Sequence, residues 1–126
     1  MSNGILKGKR GIIFGALDSK SIAWKVAEHA KAEGAEIVLT NAPIALRMGT
    51  INELAEKINS IVIPADATNM EDLKNLYEKS VEHLGGKIDF VLHSIGMSVN
   101  VRKGKKYYEQ NHDWTMKGYD VSALSF

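Results

Sequence analysis

The stretch Gly11-Ile12-Ile13-Phe14-Gly15-Ala16-Leu17-Asp18-Ser19-Lys20-Ser21-Ile22-Ala23 decides the fold. It reads as a short buried strand, a loop opening on Gly15, and a helix whose first turn carries the Ser21 hydroxyl and small side chains. Backbone N–H groups at a helix start have no intrahelical acceptors and lie at the positive end of the helix dipole. Phosphate oxygens can serve them both as acceptors and as counter-charge. A strand, loop and helix of this kind at the start of a chain predict an α/β domain of the Rossmann type, which binds dinucleotides. The spacing departs from G-x-G-x-x-G, because Ser21 and Ala23 stand where glycines are expected.

Further along, strand and helix signals alternate. Ile22, Val26 and Ala30 fall on one helical face with Ala23 and Ala27 beside them, and Gly34 stops that helix. Glu36 to Thr40 is apolar without alternation, as a strand covered on both faces should be. Thr50 and Glu53 fit a capping box ahead of Ile51, Leu54, Ala55 and Ile58. Ile61-Val62-Ile63 predicts a third strand ending at Pro64. Asn69 predicts the cap of a helix to about His83, with Leu73, Tyr77, Val81 and Leu84 inward, broken by Gly85-Gly86. Ile88 to His93 predicts a fourth strand, residues 98–112 a loop, and Asp113 to Phe126 a last helix. Right-handed βαβ crossovers then give a parallel sheet in order 3-2-1-4, with ligand at the carboxyl ends of its strands. The 126 residues are expected to be one dinucleotide-binding domain.

Composition narrows the classes. Apolar residues make up 44% and charged residues 25%, and Lys+Arg 16 against Asp+Glu 15 leaves a net charge of +1. Such a balance gives no general attraction to nucleic acid or to an anionic membrane. The chain has no cysteine, which rules out disulfides and thiolate chemistry within it and suits a reducing cytoplasm. No signal-peptide pattern or apolar run of membrane-spanning length stands out, so a cytoplasmic location is expected.

Candidate site residues follow successive strands: Gly15, then Thr40-Asn41-Ala42, then Asp66-Ala67, then Ser94-Ile95-Gly96. All four groups would converge on one sheet edge. Gly15 admits either close approach of a phosphate or only a turn. Asp66 reads as an adenine-edge contact or as the residue that holds its own turn. The acid expected about 20 residues past the loop to grip a ribose is missing, since positions 41 and 42 are Asn and Ala. Nothing there would repel a 2′-phosphate, so NADPH stays open beside NADH. Arg47 and Lys20 read as solvated charges, and the four histidines lack metal-ligand spacing, which predicts no metal site.

Taken in order, Gly15 to Trp24 with Ser21-Ile22-Ala23, Asp66-Ala67, and His93-Ser94-Ile95-Gly96-Met97 resemble the bacterial enoyl-acyl-carrier-protein reductases. These form a divergent branch of the short-chain dehydrogenase/reductase superfamily, and the resemblance runs from about Lys7 through Asp120-Val-Ser-Ala-Leu-Ser-Phe126. It implies NADH-dependent reduction of trans-2-enoyl thioesters carried on acyl carrier protein, in fatty-acid synthesis, by a homotetramer. It also implies cofactor contacts at Gly15, Ser21, Ile22, Ala42, Asp66, Ala67 and Ile95, with Ser94 and Gly96 in the same motif, and acyl contacts near Met97 and Ser98.

The superfamily's catalytic tyrosine and lysine, spaced Tyr-x6-Lys in this family, have no counterpart here. Tyr107, Tyr108 and Tyr119 are not followed by lysine at that spacing. The expectation is therefore the amino-terminal portion of a longer reductase, inactive by itself and exposing its fourth strand. A non-catalytic nucleotide-binding module and another short-chain reductase are the alternatives. Arg102-Lys103-Gly104-Lys105-Lys106 reads either as a docking patch for an acidic carrier protein or as a solvated loop.

Overall fold

The computed structural model describes residues 3–126. One sheet holds β1 (Arg10–Phe14), β2 (Glu36–Thr40), β3 (Ile61–Val62) and β4 (Phe90–His93), all parallel, in order β3-β2-β1-β4. This is the expected order. Helices α1 (Ile22–Ala32), α2 (Pro43–Met48), α3 (Ile51–Lys57) and α4 (Met70–Leu84) make the crossovers. Contacts divide the chain after Ser94, and Ile95–Phe126 forms a second compact unit. That unit contains α5 (Val99–Arg102), a 3₁₀ turn at Tyr107–Glu109, α6 (His112–Tyr119) and a π-helical turn at Asp120–Leu124.

The core of the first unit is built where β1 and β2 run apolar on both faces. Ile12, Ile13, Ile37, Val38 and Leu39 are all buried, as a sheet covered by helices requires. The burial of Ile51, Leu54, Ala55 and Ile58 follows the expected stripe. The register pairs Gly11 with Phe90, and a Cβ on Gly11 would overlap the Phe90 ring. Arg10 aligns the start of β4 from the neighbouring strand. Its N–H donates to Asp89 Oδ2 and its Nε to the Leu84 carbonyl at the end of α4, each at 2.9 Å. Gly85, in the left-handed region at φ +78°, closes α4 there, a conformation glycine takes without a Cβ penalty.

Several local expectations are corrected. On α1 the buried face is Ala23, Trp24, Ala27 and Ala30, while Ile22 is 77% exposed and Val26 also lies at the surface. Alanines let the helix lie close to the sheet, and Ile22 and Val26 turn outward to line an open groove with Ile5 and Leu6. On α4 the buried residues are Leu76 and Ser80, and Tyr77 is exposed. The inward stripe includes a serine, which an apolar count passes over. Asn69 does cap α4, its side chain accepting from Asp72 N–H at 3.1 Å. Thr50 makes no side-chain cap. Its N–H donates instead to the Leu17 carbonyl at 2.8 Å. Helix α2, which begins on Pro43, and α5 and the 3₁₀ turn within the expected loop of 98–112, are too short to leave a periodic signal.

Trp24 Nε1 donates to Glu28 Oε1, and Lys57 Nζ lies 3.3 Å from the same oxygen. Desolvation raises the Glu28 pKa, but the hydrogen bonds from Lys57 and Trp24 and the charges of Lys25 and Lys57 outweigh it. The carboxyl is held below its usual value. A depressed carboxylate stabilises the fold above its unfolded pKa, and that contribution is lost as pH falls through the folded one. In a Trp114→Phe background, Trp24 fluorescence should therefore titrate below the ordinary carboxylate range, and Glu28→Gln should abolish that transition.

Among the described residues no helix is long and apolar enough to cross a membrane. No group of three or more His, Cys, Asp or Glu among them could hold a metal ion.

Candidate functional site

Three backbone hydrogen bonds extend the sheet past its carboxyl ends. Gly15 N–H donates to the Thr40 carbonyl at 3.1 Å, Ile63 N–H to Leu39 at 3.0 Å, and Ala65 N–H to Asn41 at 3.0 Å. They bring the Gly15 loop, the Asn41-Ala42 corner and the turn at Asp66-Ala67 to one edge. Gly15 sits at φ +98°, and a Cβ there would overlap the Ser94 carbonyl oxygen. Its need for glycine thus comes from backbone conformation and from the close passage of Ser94. The chain leaving β4 takes the space beside Gly15 that sequence reasoning left to a phosphate.

Ser21 precedes α1 without capping it. Its Oγ accepts from the N–H groups of Leu17 at 3.0 Å and Asp18 at 3.1 Å, and so folds the loop back on itself. The N–H groups of Ile22, Ala23 and Trp24 make no hydrogen bond among the described residues. The first turn of α1 carries no acidic side chain. An uncapped 11-residue helix start with free donors is what a pyrophosphate needs. The residues present therefore fit a dinucleotide, through the helix start rather than through Gly15.

Asn41 is fully used by the protein. Its Nδ2 donates to the Ala16 carbonyl at 3.0 Å, and its Oδ1 accepts from Ala42 N–H at 2.9 Å. The corner after β2 is thereby latched to the loop after β1, and Ala42 begins α2 with no functional side-chain group. Gly49 completes the latch, since a Cβ there would overlap the Leu17 carbonyl oxygen. Thr40 is fully buried, and its Oγ1 has no hydrogen-bond partner among the described residues. Asp66 holds its own turn: Oδ1 accepts from Thr68 N–H at 2.9 Å and from Thr68 Oγ1 at 2.7 Å, while its N–H donates to Asp72 Oδ2. Its carbonyl accepts from Asn69 N–H at 2.9 Å, so the turn is held at its backbone too, with Asp66 exposed and Ala67 half-buried at the edge. His93 ends β4 half-buried, its ring 6.5 Å from that of Phe14.

The second unit carries the remaining candidates. Ile95 is half-buried and Gly96 exposed. Met97 is held at both backbone groups by one hydroxyl: its N–H donates to Ser122 Oγ at 3.0 Å, and Ser122 Oγ donates to its carbonyl at 3.3 Å. Gly118 lets the last helix approach, because a Cβ there would come within 3.0 Å of the Met97 carbonyl oxygen. Ser98 caps α5, its Oγ accepting from Val101 N–H at 3.3 Å. The sequence places Asn41 at the edge without its latch, and it does not single out Gly49 or Ser122 as positioning residues. Each acts through backbone groups that leave no side-chain pattern to read.

A parallel sheet in this order, with an uncapped helix start after β1, defines the class as Rossmann-type α/β. Within that class, the family model described as enoyl-(acyl carrier protein) reductase matches residues 15–126. An NADH-designated enoyl-[acyl-carrier-protein] reductase of Rhizobium meliloti (strain 1021) is 33% identical over 98% of this chain and 46% of its own length. The FabI–NADH complex of Alistipes finegoldii superposes with a TM-score of 0.95 at 63% identity, covering 97% of this chain and 43% of that one. The Aquifex aeolicus VF5 enoyl-[acyl-carrier-protein] reductase (NADH) gives a TM-score of 0.82 at 30% identity, covering 95% of this chain and 47% of its own. The chain belongs to the enoyl-acyl-carrier-protein reductase family. It spans about half the length of the curated relatives it matches.

Proposed function

We propose that these residues form the dinucleotide-binding half of an NADH-dependent enoyl-acyl-carrier-protein reductase, working in the cytoplasm as part of a homotetramer. The observation that carries this reading is the set of unpaired N–H groups of Ile22, Ala23 and Trp24 at the sheet edge. They would hold the pyrophosphate. Ser21 keeps the loop folded clear of them, and the Asn41 latch fixes the corner where the adenosine would lie. Ala42, Asp66 and Ala67 would line the adenosine side, and Ser94, Ile95 and Gly96 the nicotinamide side. Met97 and Ser98 would meet the acyl substrate. Bound NADH would supply the hydride that adds to the β-carbon of a trans-2-enoyl thioester. The proton donor for the resulting enolate is not provided here, because none of the four tyrosines is followed by a lysine at Tyr-x6-Lys spacing. The relatives' names and the FabI–NADH complex of Alistipes finegoldii favour NADH.

Calorimetric titration of the chain with NADH should give a saturable one-to-one isotherm, displaced by ADP-ribose. Trans-2-enoyl thioester should not be turned over. No saturable binding would refute the nucleotide-binding reading, and NADH-dependent turnover would show that a proton donor lies within these 126 residues.

A further inference from the structure

The second unit projects a basic, aromatic excursion whose ends are clamped by one buried side chain. Asn100 is 1% exposed. Its Oδ1 accepts from Asn111 N–H at 2.8 Å, and its Nδ2 donates to Thr115 Oγ1 at 3.0 Å. Its own carbonyl accepts from Lys105 N–H at 3.0 Å. The chain between Asn100 and Asn111 is thus closed on itself. Arg102, Lys103, Lys105 and Lys106 ride on it, all exposed, and none has an ion-pair partner among the described residues. The next acid along the sequence, Glu109, is turned back to accept from Lys106 N–H. Beside the cations stand Tyr107, 93% exposed, and Tyr108, 78% exposed, with Lys106 Nζ 5.7 Å from the Tyr108 ring.

We propose that this clamped turn is the docking surface for an acidic protein partner, the carrier that delivers the thioester, an inference that rests on the reductase reading above. Four like charges within five residues repel one another, and an acidic surface relieves that repulsion. Complementary charge raises association rate and specificity. Exposed tyrosines supply contact area of the kind that protein interfaces favour. The Asn100 clamp fixes the backbone that carries the cations before binding, which lowers the ordering cost of association. With a net charge of only +1 over the whole chain, the attraction would be local to basic stretches such as this turn, which fits one partner face better than an extended polyanion.

The test compares two four-site variants of the chain with equal charge change. One carries Arg102→Gln, Lys103→Gln, Lys105→Gln and Lys106→Gln; the other carries Lys7→Gln, Lys9→Gln, Lys74→Gln and Lys79→Gln. Each is titrated against fluorescently labelled bacterial acyl carrier protein charged with a trans-2-octenoyl thioester, alongside an NADH titration. The first variant should bind the carrier about tenfold or more weakly at low salt. The second should stay within about twofold of the parent, and NADH affinity and circular dichroism should be unchanged in both. Equal losses in the two variants would overturn the proposal, as would no carrier binding by the parent chain. Tighter binding of the parent to phosphatidylglycerol vesicles or to duplex DNA than to the carrier would overturn it too. If the parent fails to bind NADH as well, the reductase reading falls with it; if NADH binds normally, only the docking inference falls.

Discussion

Gly15→Val should destabilise the first unit by about 3–5 kcal/mol, combining a β-branched residue held at positive φ with overpacking against a backbone carbonyl. A domain of this kind has about 5–15 kcal/mol in all, so a large fall in the denaturation midpoint is expected, with loss of NADH binding following from it. Gly15→Ala should do nearly as much, because the overlap with the Ser94 carbonyl arises at Cβ itself. If the space beside Gly15 were needed only by a phosphate, alanine would leave the melting transition in place and weaken cofactor binding alone. Urea unfolding of both variants, followed by circular dichroism, separates the two accounts.

Asn100→Ala should have the second-largest effect. It leaves the Asn111 N–H without its acceptor and Thr115 without its donor, and it hollows a buried position. Stranding buried polar groups costs about 1–3 kcal/mol, and here the loss falls on a small unit of short helices. The expected result is faster amide exchange across residues 99–111, with exchange in β1 and β2 unchanged. Asn100→Asp keeps the acceptor for Asn111 but buries a charge, so it should rescue little. Unaltered protection between Val99 and Asn111 in the alanine variant would show that the excursion is held by something other than this amide.

The parts of the fold legible in the sequence are those written in side-chain type over several residues. β2 was bounded at Glu36 and Thr40 by its unbroken apolar run, and strand order followed from alternation and crossover handedness. Legibility fails where small residues carry the packing. The inner face of α1 is three alanines with Trp24, and that of α4 includes Ser80, so a stripe counted on Ile22 and Val26 or on Tyr77 is rotated from the buried one. Short helices such as α2 and α5 fall below the length at which periodicity can speak. At the candidate site, the sequence gives the identities of Gly15, Ser21 and Asp66 but not what they bond to. Ser21 reads as a hydroxyl at the helix start and a cofactor contact, yet its oxygen accepts from the loop at Leu17 and Asp18. Asp66 is occupied with Thr68. Asn41 reads as a member of the edge group and as the place of a missing acid, whereas its amide ties two loops together. Hydrogen bonds to backbone groups depend on where the chain returns, and no local pattern records that.

On this reading the start of α1 and the adjoining sheet edge receive the dinucleotide. Amide chemical-shift mapping of the ¹⁵N-labelled chain during an NADH titration tests it residue by residue. The account predicts saturating shifts at Ile22, Ala23 and Trp24, accompanied by Ala42, Asp66 and Ala67, with the far ends of the strands at Arg10 and Glu36 undisturbed. Saturating shifts that spare residues 22–24, or no shifts at NADH concentrations that saturate full-length relatives, would contradict it.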